Sequence, residues 1–389
     1  MRQIYQTILL IDQMAEAIDS VIDACDLADL PPVKISTAFS SRYALEMMQE
    51  HEFSLLIVGV GEHLDLEALK LLAAQQAPKP VLTLLPDEQG ELVLQALRQG
   101  ASDVFLRKSV SLEQTVFAQA ISRLLNQADL IEKNVHYRDE LEKSLGELQD
   151  DQQAARQIQQ NMLPDNHVVL GRVQARYLLI PSLYLSGDFV DVVSIDKNKT
   201  LFYLADVSGH GASSALVTVL LKNMTNRLLR NFRRRSSFDI LSPIDVLYRI
   251  NSELLETELG KHLSIFIGLY DEQNGSLTYA VGGHHPMPVL RDQQGCRFLE
   301  GRGMPVGLFP EPLFQEQKLM LPAQFELTLF SDGILEVLPE EGMEAKEQRL
   351  IDAVAETKGG GPERIKHALL PGIISPAPDD IAIMTICRQ

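Results

Sequence analysis

The sequence predicts a multidomain protein made of a doubly wound parallel α/β domain, a helical linker and an α+β domain. Three observations carry this prediction. Short apolar runs alternate with helical patterns over residues 1–125, and heptad-spaced apolar residues run through 111–163 with few helix breakers. From 164 to 389, strand-like alternation mixes with long helical stretches in no strict order.

In the first segment the apolar runs fall at 8–11, 33–39, 54–60, 81–85 and 103–106, with helical patterns between them that include 41–50 and 90–99. Strands that alternate with helices form a parallel sheet covered on both faces. Right-handed crossovers then wind the five strands into one sheet.

From 111 to 163, apolar residues recur at heptad spacing in Ile121, Leu124, Ala128, Ile131 and Val135. A second frame follows in Leu141, Leu145, Leu148, Ala155 and Met162, with Gln152 and Gln159 at intervening seam positions. Three residues separate the would-be seam position Arg138 from Leu141, so the frames are offset as in a stammer, which overwinds a coiled coil locally. A parallel homodimer through this linker and one long helix folding back on its own domains both fit the pattern.

In the third segment the strand patterns fall at 173–179, 189–195, 201–207, 264–270, 276–280, 325–330 and 381–386, and the helical ones at 212–232 and 243–258. Packed sheets flanked by helices are expected. Four acidic motifs end apolar runs: Gly187-Asp-Phe-Val-Asp191, Ala205-Asp-Val-Ser-Gly-His-Gly211, Ser331-Asp-Gly333 and Pro378-Asp-Asp380. Singly, Ser331-Asp-Gly333 reads as a turn, and the Ser208 to Gly211 stretch as a loop capping the helix that starts near Ala212. Together they would bring carboxylates from distant parts of the chain to one end of a sheet, where hard divalent cations take oxygen ligands.

His210 and the pair His284-His285 have no i, i+4 partner on one helix, and the surrounding carboxylates favour Mg²⁺ or Mn²⁺ over zinc, so these histidines read as structural. The cluster Arg227, Arg230, Arg233, Arg234 and Arg235 follows a long helix, where the dipole favours cations. It also suits the docking of an acidic phosphoprotein.

The chain has 389 residues, 45% hydrophobic and 23% charged, as expected of folded globular domains. A formal charge of −18 argues against nucleic acid as a partner, and bound metal would neutralise part of it. Cys25, Cys296 and Cys387 are dispersed and odd in number, with no CxxC pair, which fits a reducing cytoplasm. No apolar run approaches the ~20 residues of a membrane span, so neither export nor membrane insertion is expected.

In length and element order the first segment resembles a response-regulator receiver domain. That resemblance requires an acidic pocket after the first strand, an acceptor aspartate after the third, a hydroxyl after the fourth and a lysine after the fifth. Asp12 keeps one acid, but the acceptor position falls on Gly59. Leu85 stands near the hydroxyl position with Thr83 two residues earlier, and Arg107-Lys108 takes the basic position. A degenerate receiver, kept as a docking or dimerising module that regulates the chain, is the implied reading.

Residues from about 150 onward resemble the bacterial metal-dependent Ser/Thr protein phosphatases typified by stage II sporulation phosphatase E and the sigma-factor regulator phosphatases. The match begins at the helix Ala155-Arg-Gln-Ile-Gln-Gln-Asn-Met-Leu-Pro164 and takes in the Asp188 and Asp206 motifs. It continues through Gly282-Gly-His-His-Pro286, Gly303-Met-Pro-Val-Gly307, Phe330-Ser-Asp-Gly333 and Asp379-Asp380, all in family order. The chain departs from the family in having Val281-Gly-Gly-His284 for Asn-Ala-Gly-His, and Val190 for Tyr.

The resemblance implies two Mn²⁺ or Mg²⁺ ions. Asp206 would bridge them, the Val207 carbonyl would complete one, and Asp332 with Asp379 or Asp380 would hold the other. Asp188 would orient water at the ions and is counted with the metal-site residues; Asp188, Asp206 and Asp332 are the expected catalytic side chains. Two cations about 3.5–4 Å apart lower the pKa of a bridging water and align the hydroxide for in-line attack on phosphorus. The implied substrate is a phosphorylated anti-sigma-factor antagonist in a partner-switching pathway controlling an alternative sigma factor, with the opposing kinase on a separate chain. The alternative is a non-catalytic adaptor or scaffold that binds a sigma factor or its regulator and controls its availability or proteolysis. Retention of Asp188, Asp206, Asp332 and Asp379 weighs against that alternative, since clustered carboxylates repel one another without a cation.

Overall fold

The structure is a computed structural model and describes residues 6–27, 32–61, 64–86, 90–209, 211–372 and 377–388. The chain divides into two compact units, Met1–Gly146 and Glu147–Gln389.

In the first unit β1 (Gln6–Ile11), α1 (Ala15–Leu27), β2 (Val33–Ala38), α2 (Ser41–Glu50), β3 (Leu55–Gly59), α3 (Leu66–Gln76), β4 (Val81–Leu85), α4 (Gly90–Arg98) and β5 (Asp103–Leu106) alternate as the apolar runs predict. The short α5 (Arg107–Leu112) and the 49-residue α6 (Gln114–Met162) follow. All strands pair in parallel in the order β2-β1-β3-β4-β5, the flavodoxin-like doubly wound arrangement. Each strand contributes to two cores: Leu9, Ile11, Leu56 and Val58 face one way, Ile8, Leu10, Leu55 and Ile57 the other.

The structure corrects the heptad reading of α6. Ile121 and Leu124 pack in the second of these cores with Phe117 and Leu125, and Ala128 is also buried, so the first part of this frame, Ile121 to Ala128, belongs to the first unit's own interior. A helix face packed on a sheet and a coiled-coil seam share the i, i+3, i+4 positions, and spacing alone does not separate them. Val135, Leu141, Leu145 and Leu148 are exposed. Gln159 is buried at 7% exposure and is no seam residue.

The second unit contains β6 (His167–Leu170), β7 (Val173–Ile180), β8 (Asp188–Ser194), β9 (Lys199–Val207), α7 (Ala212–Arg233), α8 (Pro243–Glu256), β10 (Leu263–Asp271), β11 (Ser276–Gly282), β12 (Val289–Asp292), β13 (Gly295–Phe298), β14 (Glu316–Met320), β15 (Phe325–Phe330), α9 (Gly333–Val337), α10 (Met343–Thr357), α11 (Pro362–Leu369) and β16 (Ile381–Arg388). The strands form two antiparallel sheets, β14-β11-β10-β9-β8 and β13-β12-β15-β16-β7-β6.

Alternation along β9 explains the layering. Leu201, Tyr203, Ala205 and Val207 point to the core shared with α7 and α8, whereas Phe202 and Leu204 meet Leu327, Leu329, Met384 and Ile386 of the other sheet. A third core under α9, α10 and α11 covers that sheet's outer face. Helices, sheet, sheet and helices therefore stack in four layers. Among the described residues no helix is long and apolar enough to cross a membrane.

Candidate active site

The antiparallel register places Asp188 of β8 directly opposite Asp206 of β9, and Asp206 opposite Ser264 of β10. The parity that sends Val190 and Leu204 into the intersheet core puts all three on that same face, at the strand ends. Asp188 is 2% exposed and among the described residues neither of its carboxylate oxygens has a hydrogen-bond partner. Burial, then repulsion from Asp206, pushes its pKa well above the usual carboxylate range. Asp206 is pushed up to about 7 by burial first, then by Asp332, Asp379 and Asp380. Facing like charges destabilise a sheet, and a buried polar group without a partner is rare enough to require a cause.

The other sheet supplies the facing wall. Asp332 follows β15 at the N-terminus of α9, and its pKa is raised by burial and then by Asp379. The adjacent Asp379 and Asp380 precede β16 and are used differently. Asp380 is buried; its Oδ1 accepts from the Ser182 N–H (2.6 Å) and hydroxyl (2.9 Å), and its Oδ2 from the Gly187 N–H (2.6 Å). Asp379 Oδ1 accepts from the Asp380 N–H at 2.8 Å, and Asp379 lines a cleft of about 490 Å³ with Asp206, Asp332, Glu336, His262 and Ser264.

The Val207 carbonyl lies against Gly187, where a side-chain carbon would come within 2.9 Å of it, so only glycine allows this approach. The loop after β9 is pinned through Ser208, whose carbonyl accepts from Lys261 Nζ (2.8 Å) and Ser214 Oγ (3.2 Å). His210 lies outside the described residues. His284 is buried with both ring nitrogens unpartnered among the described residues, and burial lowers its pKa to about 3, so it is neutral. His285 lies on the surface, 3.7 Å from Glu347. Asp191 points to the helix side, where Lys222 (2.8 Å) and the Tyr203 hydroxyl (3.3 Å) bind it.

Among the described residues no three Asp, Glu, His or Cys side chains close on one point. The carboxylates instead ring the cleft. Such a set fits hard divalent cations that keep several waters and take one or two carboxylates each, and the orphaned Asp188 carboxylate is a group such an ion would satisfy.

Ser264, Lys261, Glu336 and the Ser182 and Ser186 contacts were not found from sequence. For Ser264 a signal existed: a lone hydroxyl in Leu263-Ser-Ile-Phe-Ile267 at the carboxylate end of a buried strand. The others depend on contacts between distant segments.

In the first unit Asp12 is fully buried and paired with Arg107, Nε to Oδ2 and Nη2 to Oδ1, both at 3.1 Å. A side-chain carbon on Gly59 would lie 1.8 Å from Asp12 Oδ2. This ion pair occupies the space an acceptor side chain would need. Thr83 is buried and its hydroxyl has no partner among the described residues. Arg230, Arg233, Arg234 and Arg235 surround the exposed C-terminal end of α7, and Arg227 pairs with Glu253.

Residues 196–389 match the family model described as Stage II sporulation protein E (SpoIIE). Over 187 residues the chain is 29% identical to the phosphoserine phosphatase RsbP of Bacillus subtilis (strain 168), covering 47% of this chain and 44% of that protein. It is 23% identical over 207 residues to the Regulator of RpoS of Escherichia coli (strain K12), covering 52% and 60%. The chain thus spans less than two thirds of either relative. The SiaA-PP2C domain of Pseudomonas aeruginosa superposes with a TM-score of 0.53 at 20% identity, covering 63% of this chain and 98% of that domain, a likeness of fold.

Proposed function

Taking the second unit as a SpoIIE-type domain with the PP2C phosphatase fold, we propose that the chain is a metal-dependent phosphatase of phosphoserine or phosphothreonine proteins. The observation that carries the reading is the facing Asp188–Asp206 pair, Asp188 buried and Asp206 half-buried and neither with a counter-charge among the described residues, at the mouth of a carboxylate-lined cleft. Two Mn²⁺ or Mg²⁺ ions at this site would activate water for attack on phosphorus and offset charge on the phosphoryl oxygens. Asp206, the Val207 carbonyl and Asp332 would hold the ions, with Asp206 serving both, and Asp188 would orient water at the site. Of the adjacent pair, Asp379 would be the ligand. Asp380 fixes Ser182 and Gly187, so its oxygens are already committed. His262, Ser264 and Glu336 line the floor and rim on which the phosphoryl group would rest.

The substrate in this reading is a phosphorylated anti-sigma-factor antagonist, with the opposing kinase on another chain, all in the cytoplasm. The first unit is a receiver-like regulator that no longer takes a phosphoryl group, and the exposed Leu141, Leu145 and Leu148 favour a homodimer through α6. The adaptor alternative draws on the similarity to the Regulator of RpoS. It gives no reason to keep four repelling carboxylates.

The test is release of phosphate from phosphorylated candidate antagonists with Mn²⁺, comparing the intact chain with Asp206→Asn. Turnover that persists undiminished in the variant under saturating metal would overturn the assignment.

A further inference from the structure

From the hydrogen bonds at the end of α6 we infer that Gln159 is a positioning residue for the metal-bearing end of β8, an inference that rests on the two-ion reading above. Gln159 is buried on a helix whose neighbouring Ile158 and Gln160 are exposed. A buried amide is tolerated when its polar atoms are paired, and these are. Its Nε2 donates to the Ser186 carbonyl (2.7 Å) and to Thr218 Oγ1 (3.0 Å), while its Oε1 accepts from the Ser186 N–H (3.2 Å).

One side chain thus satisfies both backbone groups of Ser186, two residues before Asp188. The next link is direct: Ser186 Oγ accepts from the Asp188 N–H at 3.1 Å. Between them, Gly187 donates to Asp380 and accepts from the Val207 N–H (3.2 Å). Gln159, Asp380 and β9 therefore hold the Ser186–Asp188 segment from three sides. Among the described residues none donates a hydrogen bond to the Asp188 carboxylate, so its position is inherited from this backbone.

The second arm of the amide reaches Thr218 on α7. The first turn of that helix carries Ser214, which donates to the Ser208 carbonyl after Asp206. Both strands that present the facing carboxylates are thereby tied to one glutamine of α6. Turning α6 by one residue, about 100°, would replace the amide by Ile158 or Gln160 and release Ser186. Groups that orient metal ligands in this way influence metal affinity by about 10–100-fold.

The experiment uses the full chain, with Mn²⁺ affinity read from the electron paramagnetic resonance of free Mn²⁺ and thermal unfolding followed in EDTA. Gln159→Leu is expected to weaken Mn²⁺ binding about 10-fold or more while still unfolding cooperatively. Gln159→Glu keeps the acceptor for the Ser186 N–H and should fall between. Ser186→Ala cuts the next link and carries the same expectation, which keeps the inference testable if Gln159→Leu does not fold. A folded Gln159→Leu or Ser186→Ala chain with wild-type Mn²⁺ affinity overturns the inference. A wild-type chain that binds no Mn²⁺ overturns the metal site, and this inference with it.

Discussion

Without metal, the Asp206 carboxylate should make the chain less stable as pH rises. Its pKa is about 7 in the folded chain against an ordinary 3.8, so the folded state keeps a proton that the unfolded state releases. Stability is then highest below the ordinary pKa and falls as pH climbs from there to about 7. At about 1.4 kcal/mol per pH unit the loss reaches at most about 4 kcal/mol. For a unit of this size that is about 10 °C in unfolding temperature. Asp206→Asn removes the charge, so in EDTA it should unfold at a higher temperature than wild type at pH 8 and show little difference at pH 4. Saturating Mn²⁺ should reverse the order at pH 8, because two ions at 100 times Kd add about 2.7 kcal/mol each, together more than the loss of about 4 kcal/mol. Circular dichroism melts at the two pH values, with EDTA and with Mn²⁺, provide the assay. Equal melting of wild type and variant in EDTA at pH 8 would refute the electrostatic argument.

Other expectations follow from neighbouring residues. Asp379→Asn should abolish Mn²⁺-dependent turnover with little change in unfolding, whereas Asp380→Ala, which strands three hydrogen-bond donors, should cost at least about 2 kcal/mol in a urea melt. Acetyl phosphate with Mg²⁺ should add no phosphoryl group to residues 1–110 by intact mass, and Gly59→Asp should not restore labelling, because the Asp12–Arg107 pair fills the space. Leu145→Asp or Leu148→Asp should abolish self-association in sedimentation and alter phosphatase activity on the same preparations. A wild-type chain that is monomeric at micromolar concentration, with activity indifferent to both substitutions, would make α6 a passive spacer.

Much of the fold could be read from periodicity. The runs at 81–85, 103–106 and 325–330 are strands with those bounds; the first and last are fully buried, while the half-buried 103–106 strand, which begins at Asp103, is bounded by the turn before it and the helix after. Short edge strands such as β13 and β14, half exposed, carry too little apolar signal to be seen. The carboxylates could be named because each lies at or just beside one end of a strand, but their roles could not. Asp379 and Asp380 are adjacent and chemically identical, and only the contacts with Ser182 and Gly187, nearly 200 positions away in sequence, distinguish the braced Asp380 from Asp379, which lines the cleft. Gln159 failed for the same reason: spacing placed it on a seam, while its partners come from Ser186 and Thr218. Ile121 and Leu124 failed because a heptad seam and a packed amphipathic face place apolar residues at the same intervals.

A two-ion site built on the facing aspartates underlies the proposed chemistry. It is tested most directly by counting Mn²⁺ ions bound per chain in wild type and in Asp206→Asn at matched concentration. Two ions in wild type, with at most one weakly held in the variant, is the predicted result. No bound Mn²⁺ in wild type, or the same count and affinity in both chains, would contradict it.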